Sequence, residues 1–225
     1  MKNVKSFIWL NERKEDSELL TGMGSEALGM FDRIMMNNMI ELQLQSNADK
    51  IYLFEEETAL DEIFRTEQYK EVFTFFPRPA HPMELAGLIG KQLQKEEKFI
   101  ISKGNSFGFH PALYSGLKNY LEIEEDVCVL YSSSLKQLCA IGATRFEDSL
   151  LGFLQGAGTQ DEFVFGTESP DRFYIFLNNL CLVDTIADFR ELYRQLSHRE
   201  NIHLCSKYFY DQFTEIFIEF RELLK

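Results

Sequence analysis

Ser102-Lys103-Gly104-Asn105-Ser106 brings an ammonium, an amide and two hydroxyls together within five positions, and His110 follows closely. The stretch comes after the apolar run KFII and leads into ALYSGLKNYLE, so it reads as a loop between a strand and a helix. Loops at the carboxyl ends of strands are where open α/β sheets hold their ligands. This loop carries no carboxylate, no cysteine and no phosphate-loop signature. It is either a working site built from unusual residues or a site whose chemistry has been lost. A second polar point is Asp184-Thr185, at the end of LCLV and the start of a helical stretch, where a short oxygen-bearing side chain can cap exposed amides.

Other reactive residues lack the spacing that chemistry needs. His81, His110, His198 and His203 show no metal-ligand pattern, and His110 beside Pro111 reads as a helix-start residue. Cys128, Cys139, Cys181 and Cys205 have no C-x-x-C spacing and are expected as small hydrophobes in or near strands. The triplet in YSSS offers hydroxyls without a paired base. GAGTQDEFVFGTES has no phosphate-loop Lys-Ser/Thr and reads as an ordinary connection.

The elements that must position these residues alternate along the chain. Strands are expected at 4–10, 50–56, 71–77, 98–102, 126–132, 137–143 and 180–183. Between them, helices are expected at 25–46, around ALDEIF, at 82–97, from Pro111 through PALYSGLKNYLE, and at 145–155, 169–179 and 185–197. Ser25 is the expected cap of the first helix and Asn47 its stop, with the methionines between them as core filler. Ser169 with Pro170 fits a helix start. Such alternation predicts a three-layer α/β/α sandwich around a mainly parallel, Rossmann-like sheet.

No repeat or linker interrupts this pattern, so one domain is expected over 1–206. Residues 207–225 form an amphipathic terminal helix. Phe209, Phe213, Ile216, Phe217, Phe220, Leu223 and Leu224 mark its apolar face, which packs on the same domain or meets a second copy in a homodimer.

Composition narrows the partners. The 225 residues are 45% hydrophobic and 26% charged, which suits a packed core. A formal charge of −13 repels phosphate backbones and anionic lipid, so neither nucleic acid nor a membrane is expected as a partner. No run is long enough to span a bilayer, and the first twenty residues lack a signal-peptide pattern. A cytoplasmic location is expected.

The order of elements resembles the nucleotide-diphospho-sugar transferase superfamily, with its glycosyltransferase-A-like fold. Within it, the chain is most similar to a bacterial glycosyltransferase-like family related to the molybdenum-cofactor and phospholactate guanylyltransferases. GMGSEALGMFDRIMMNNM, KFIISKGNSFGFHPALYSGL, DVCVLYSSSLKQLCAIG and LCLVDTIADFREL carry the likeness, which covers nearly the whole chain. The last is the most specific. The resemblance implies a nucleotide or nucleotide-sugar ligand, with Mg²⁺ or Mn²⁺ as cofactor if the protein is active, because hard cations prefer oxygen ligands.

Carried over by position, the resemblance places the nucleotide beside Arg13, Lys14, Lys103 and Ser106, and the metal at Asn105 and Asp184. The departures fall on those same positions. Where the family has a Lys-Thr-Arg-Leu run, this chain has Asp16-Ser17-Glu18-Leu19, which reads as a solvated acidic loop. Asn105 stands where the family has an aspartate, and Lys103 adds a positive charge that repels a metal. Leu135, Lys136 and Gln137 replace an acid and two glycines. The expected function is a divergent transferase-like protein with lost or weakened metal-dependent activity, acting as a binding or interaction protein. The alternative is an active glycosyl- or nucleotidyltransferase with an atypical metal site. In the first case Asp184 is a helix cap and Asn105 a turn residue; in the second both are ligands.

Overall fold

The structure is a computed structural model, and it describes residues 4–10, 17–79, 82–93, 97–123, 126–133, 137–147 and 172–225. The chain opens with strand β1 (Lys5–Trp9), helix α1 (Glu18–Met23), helix α2 (Ser25–Gln45) and strand β2 (Ile51–Leu53). Two 3-10 turns, Glu57–Ala59 and Glu62–Phe64, lead to β3 (Phe73–Phe75), α3 (Pro82–Gln92), β4 (Phe99–Lys103) and the two-residue β5 (Ser106–Phe107). Then come α4 (Pro111–Ile123), β6 (Val127–Ser133), β7 (Leu138–Ala143), β8 (Phe173–Leu182) and α5 (Ile186–Ser197). A 3-10 segment, Arg199–Leu204, precedes α6 (Lys207–Glu219), and a last turn covers Arg221–Leu224.

The strands lie in the order β3-β2-β1-β4-β7-β6-β8-β5. Pairing is parallel from β3 through β4 and between β6 and β8, whereas β7 runs antiparallel to both of its neighbours. Successive strand residues face opposite layers, as the two-residue period of a strand requires. Ile8 and Ile100 enter the larger core under α2, α4, α5 and α6, while Phe7, Phe99 and Ile101 enter the smaller core under α3. Both faces are covered, which explains why these strands are apolar almost throughout. The expected three-layer α/β/α sandwich with a mainly parallel sheet is the observed fold.

Several local expectations need correction. Residues 173–179, read as part of a helix, belong to the long strand β8; 169–171 lie outside the described residues. The aromatic run FYIFL favours an extended, half-buried surface, and β8 gains a full parallel partner in β6. Arg172, just before β8, donates to Asp126 at 2.9 Å and pairs with Glu147 at 3.1 Å, anchoring the start of that strand. The expected acidic loop at 17–19 is instead the start of α1, because Leu19 and Met23 bury against the core while Glu18 stays exposed. Gly24, not Ser25, caps α2; its φ of 81° is the left-handed backbone that glycine adopts without strain. Asn47 also takes a positive φ, 56°, and with Ser46 ends that helix. Residues 145–147 are not helical, and the rest of 148–155 is outside the described part.

The terminal helix α6 packs on this domain. Phe209, Phe213, Ile216 and Phe217 are buried, and Phe213 meets Phe31 of α2 and Phe107 of β5 edge-on, with centroids 6.3 and 5.8 Å away. Among the described residues no helix is long and apolar enough to cross a membrane.

Candidate functional site

Three segments that are distant in sequence meet at the carboxyl edge of the sheet. β4 ends at Lys103, directly beside Trp9 of β1, and Gly104 N–H donates to the Trp9 carbonyl at 2.7 Å. A Cβ at position 104 would lie 2.7 Å from Leu10 Cδ2 and 3.3 Å from the Trp9 oxygen, so a larger residue would have to push the Leu10 side chain aside. The chain then turns through Asn105 into β5, which pairs antiparallel with the end of β8, Ser106 with Leu182 and Phe107 with Cys181. The register of β8 with β6 shifts between Tyr131 and Ser133, just before the part of β8 that pairs with β5.

Asp184 lies two residues beyond the end of β8. Its Oδ1 accepts from Asn105 Nδ2 at 2.6 Å, and Val183 N–H donates to the Asn105 carbonyl at 3.1 Å, so the two segments are clamped by side chain and backbone together. Asn105 is buried, and its Oδ1 accepts no hydrogen bond among the described residues. Ser17, just before α1, donates to the Asp184 carbonyl at a long 3.5 Å. Ser106 Oγ donates to the Cys139 carbonyl at 3.3 Å, which turns it toward β7.

Lys103 is only 6% exposed. Burial lowers its pKa below the ordinary lysine value; the Cys139 sulfur and the Asp184 carboxylate both pull the other way. Among the described residues the edge therefore combines one carboxylate, one buried lysine and one amide whose oxygen accepts no hydrogen bond. Cys139 itself is held protonated, because burial pushes its thiol up to about 12.

Of the six residues expected to form a site, Lys103, Asn105, Ser106 and Asp184 are brought together at this edge. Arg13 and Lys14 lie outside the described residues, as do Asp16, Leu135 and Lys136. Gln137 closes the β6–β7 hairpin, its N–H donating to Ser133 Oγ at 3.2 Å and its carbonyl accepting from Ser133 N–H at 2.9 Å. His110 is likewise structural in geometry: its Nδ1 accepts from Leu113 N–H at 3.4 Å in the first turn of α4. His81 lies outside the described residues.

One expectation about Asp184 is corrected. It does not cap α5; Thr185 does, accepting from Asp188 N–H at 3.2 Å while Asp188 accepts from Thr185 N–H at 2.9 Å. This reciprocal capping box frees the Asp184 side chain for Asn105. Sequence reasoning saw the cap but not the partner, since nothing local marks a bond between residues so far apart. Ser17 was also missed as a neighbour of Asp184, hidden within a run of charges.

The donor set does not fit the divalent cation that the resemblance implies. Such a cation takes several oxygen ligands, carboxylates above all. Among the described residues the edge offers one carboxylate, Asp184, which already accepts from Asn105, and the buried Lys103 adds a basic residue two positions from Asn105. Among the described residues no group of three or more His, Cys, Asp or Glu is placed to hold a metal.

No family model matches the sequence, and no curated protein matches it either. Solved structures do. A candidate nucleotide-diphospho-sugar transferase of Desulfovibrio desulfuricans G20 superposes with a TM-score of 0.68 over 98% of both chains at 14% identity. A candidate glucose-1-phosphate thymidylyltransferase of Bacillus anthracis, solved with sucrose, gives 0.58 over 84% of this chain and 93% of that one at 8% identity. The inositol-1-phosphate CTP transferase of T. maritima gives 0.50 over 96% and 97% at 12% identity. At these identities the likeness defines the fold: this chain has the fold shared by nucleotide-diphospho-sugar transferases and nucleotidyltransferases.

Proposed function

We propose that the protein is a divergent member of the nucleotide-diphospho-sugar transferase superfamily. In this reading its metal-dependent transfer is lost or much weakened, and it acts as a binding or interaction protein, with a nucleotide or nucleotide-sugar as the ligand class. The observation that carries this reading is the Asn105–Asp184 hydrogen bond at 2.6 Å beside the buried Lys103. Among the described residues it engages the one carboxylate at the edge, next to a buried basic residue rather than the set of carboxylates that would hold the dication transfer chemistry needs. The nearer relationship, to the glycosyltransferase-like family akin to the molybdenum-cofactor and phospholactate guanylyltransferases, rests on the four sequence stretches and is part of the same proposal.

Titration of the full chain with UDP-glucose, CTP and GTP, each with and without Mn²⁺, tests it. A ligand of the native state raises its melting temperature by mass action. The expected result is no shift that depends on Mn²⁺. A reproducible shift of several degrees that requires the metal overturns the reading and favours the second one, an active transferase with an atypical site. The unengaged Asn105 Oδ1 is the feature that favours that second reading, because it offers an oxygen to a metal or to a ligand hydroxyl.

A further inference from the structure

A cavity of about 540 Å³ opens between α5, α6 and the last turn, on residues that take no part in the sheet edge. Its size lies in the range of small-molecule sites, roughly 300–1,000 Å³. Leu196 and Phe217 form buried walls, and Leu224 and the 67%-exposed Ile218 add apolar surface that solvent reaches. The ring of Tyr193 meets Phe217 edge-on at 5.2 Å and continues that surface. Along α6 the lining runs from Tyr210 to Ile218, about 12 Å at the rise of a helix, so the cavity suits an extended body.

The ionic lining is of one sign. The chain has 36 acidic and 23 basic residues, yet among the described residues no carboxylate lines the cavity and one guanidinium does, that of Arg221. Arg190 Nε donates to the Leu223 carbonyl at 2.7 Å, holding the last turn and Arg221 with it against α5. Glu222 is only a distant partner for Arg221, at 3.9 Å, and pairs with Lys225 at 2.5 Å. Ser197 and Thr214 donate to the carbonyls of Tyr193 and Tyr210 in their own helices, at 2.7 and 2.8 Å. Their protons are therefore spent, and a negative group entering the cavity finds its charged partner in Arg221.

We propose that this cavity binds a monoanionic amphipathic acid, a carboxylate on an extended apolar chain of the free fatty-acid class. A carboxylate matches the fork of one guanidinium. The net charge of −13 opposes a dianion and keeps an anionic lipid surface away, which favours the free acid over a membrane headgroup. The site is separate from the sheet edge, and the reading of that edge stands or falls without it.

Calorimetry on the full chain with decanoate, decyltrimethylammonium and phosphatidylglycerol vesicles tests the proposal. Wild type binds decanoate with a Kd below about 1 mM, binds the ammonium of the same chain length more weakly, and ignores the vesicles. Arg221 and Ile218 are exposed, so replacing them should leave the fold intact. Arg221→Gln weakens decanoate by about two- to fivefold, the scale of an exposed ion pair, and erases the preference over the ammonium. Ile218→Glu brings a carboxylate to the cavity and weakens decanoate as well. A wild type that does not bind decanoate, binds both amphiphiles equally or binds the vesicles overturns the proposal. Unchanged decanoate affinity in either variant overturns it too. So does a wild-type dimer that Ile218→Glu turns into a monomer while neither binds decanoate, which would assign this surface to a second copy of the chain.

Discussion

Asn105 and Asp184 are 79 positions apart in the chain, and the amide Nδ2 of the first donates to Oδ1 of the second at 2.6 Å. The bond closes the turn after β4 onto the end of β8. Asp184→Ala would leave a buried Asn105 with both polar ends unmatched, at a cost of about 1–3 kcal/mol. Asp184→Asn can present an oxygen in the same place and should lose less. Urea denaturation of the two variants checks this; equal losses would mean that the hydrogen bond contributes little.

Thr185 and Asp188 cap α5 reciprocally. Thr185→Ala should destabilise the protein by about 0.5–2 kcal/mol, and Thr185→Ser should retain most of the stability. The measurement is the denaturation midpoint at an unchanged slope.

These two predictions separate what was legible in the sequence from what was not. The capping residues sit three positions apart, so their signal is local and Thr185 could be read as the start of a helix. The Asn105–Asp184 bond is set by β8 curling over the sheet, which no spacing reports, and Asp184 was read as a cap or a ligand instead. The buried strands β1, β4, β6 and β7 were legible because both of their faces are apolar. β8 was legible only at its end, 180–182: its first part, 173–179, follows a Ser-Pro-Asp helix-start signal, and a short apolar run does not distinguish a strand from a helix without its neighbours. α1 was hidden because the run of charges before it, ending in Glu18, obscures the two buried residues Leu19 and Met23. β5, at two residues, is below the length any pattern can mark.

Burial and the neighbouring His203 ring, 5.5 Å away, lower the pKa of His110 below the ordinary histidine value. A histidine depressed in the folded state supports stability above its unfolded pKa of about 6.5, and that support is lost as pH falls through the folded value. Two-dimensional NMR should place the His110 titration below that of an unstructured histidine, and His203→Asn should move it upward. An unchanged midpoint in His203→Asn would mean that His203 does not contribute.

Phe213 joins α6 to α2 and to β5, and it is fully buried. Phe213→Ala should cost about 3–5 kcal/mol. Because Phe107 lies under it, the loss should extend to the site: amide exchange at 104–107 should accelerate more than exchange in β2. A uniform acceleration would mean that α6 stabilises the whole domain without bracing the edge in particular.

Ser106 and Phe107 take their strand partners from Leu182 and Cys181, so the loop after β4 leaves the ribosome well before it can close. At about 5–20 residues per second, the 79 positions between Asn105 and Asp184 take roughly 4–16 s to synthesise. Throughout that interval Lys103 and Asn105 have been made while Asp184 has not, and Phe107 lacks the ring that will cover it. The nascent chain thus carries an uncovered apolar edge on these few residues. Stalling or truncation before residue 184 would leave that edge without the strand that pairs with it.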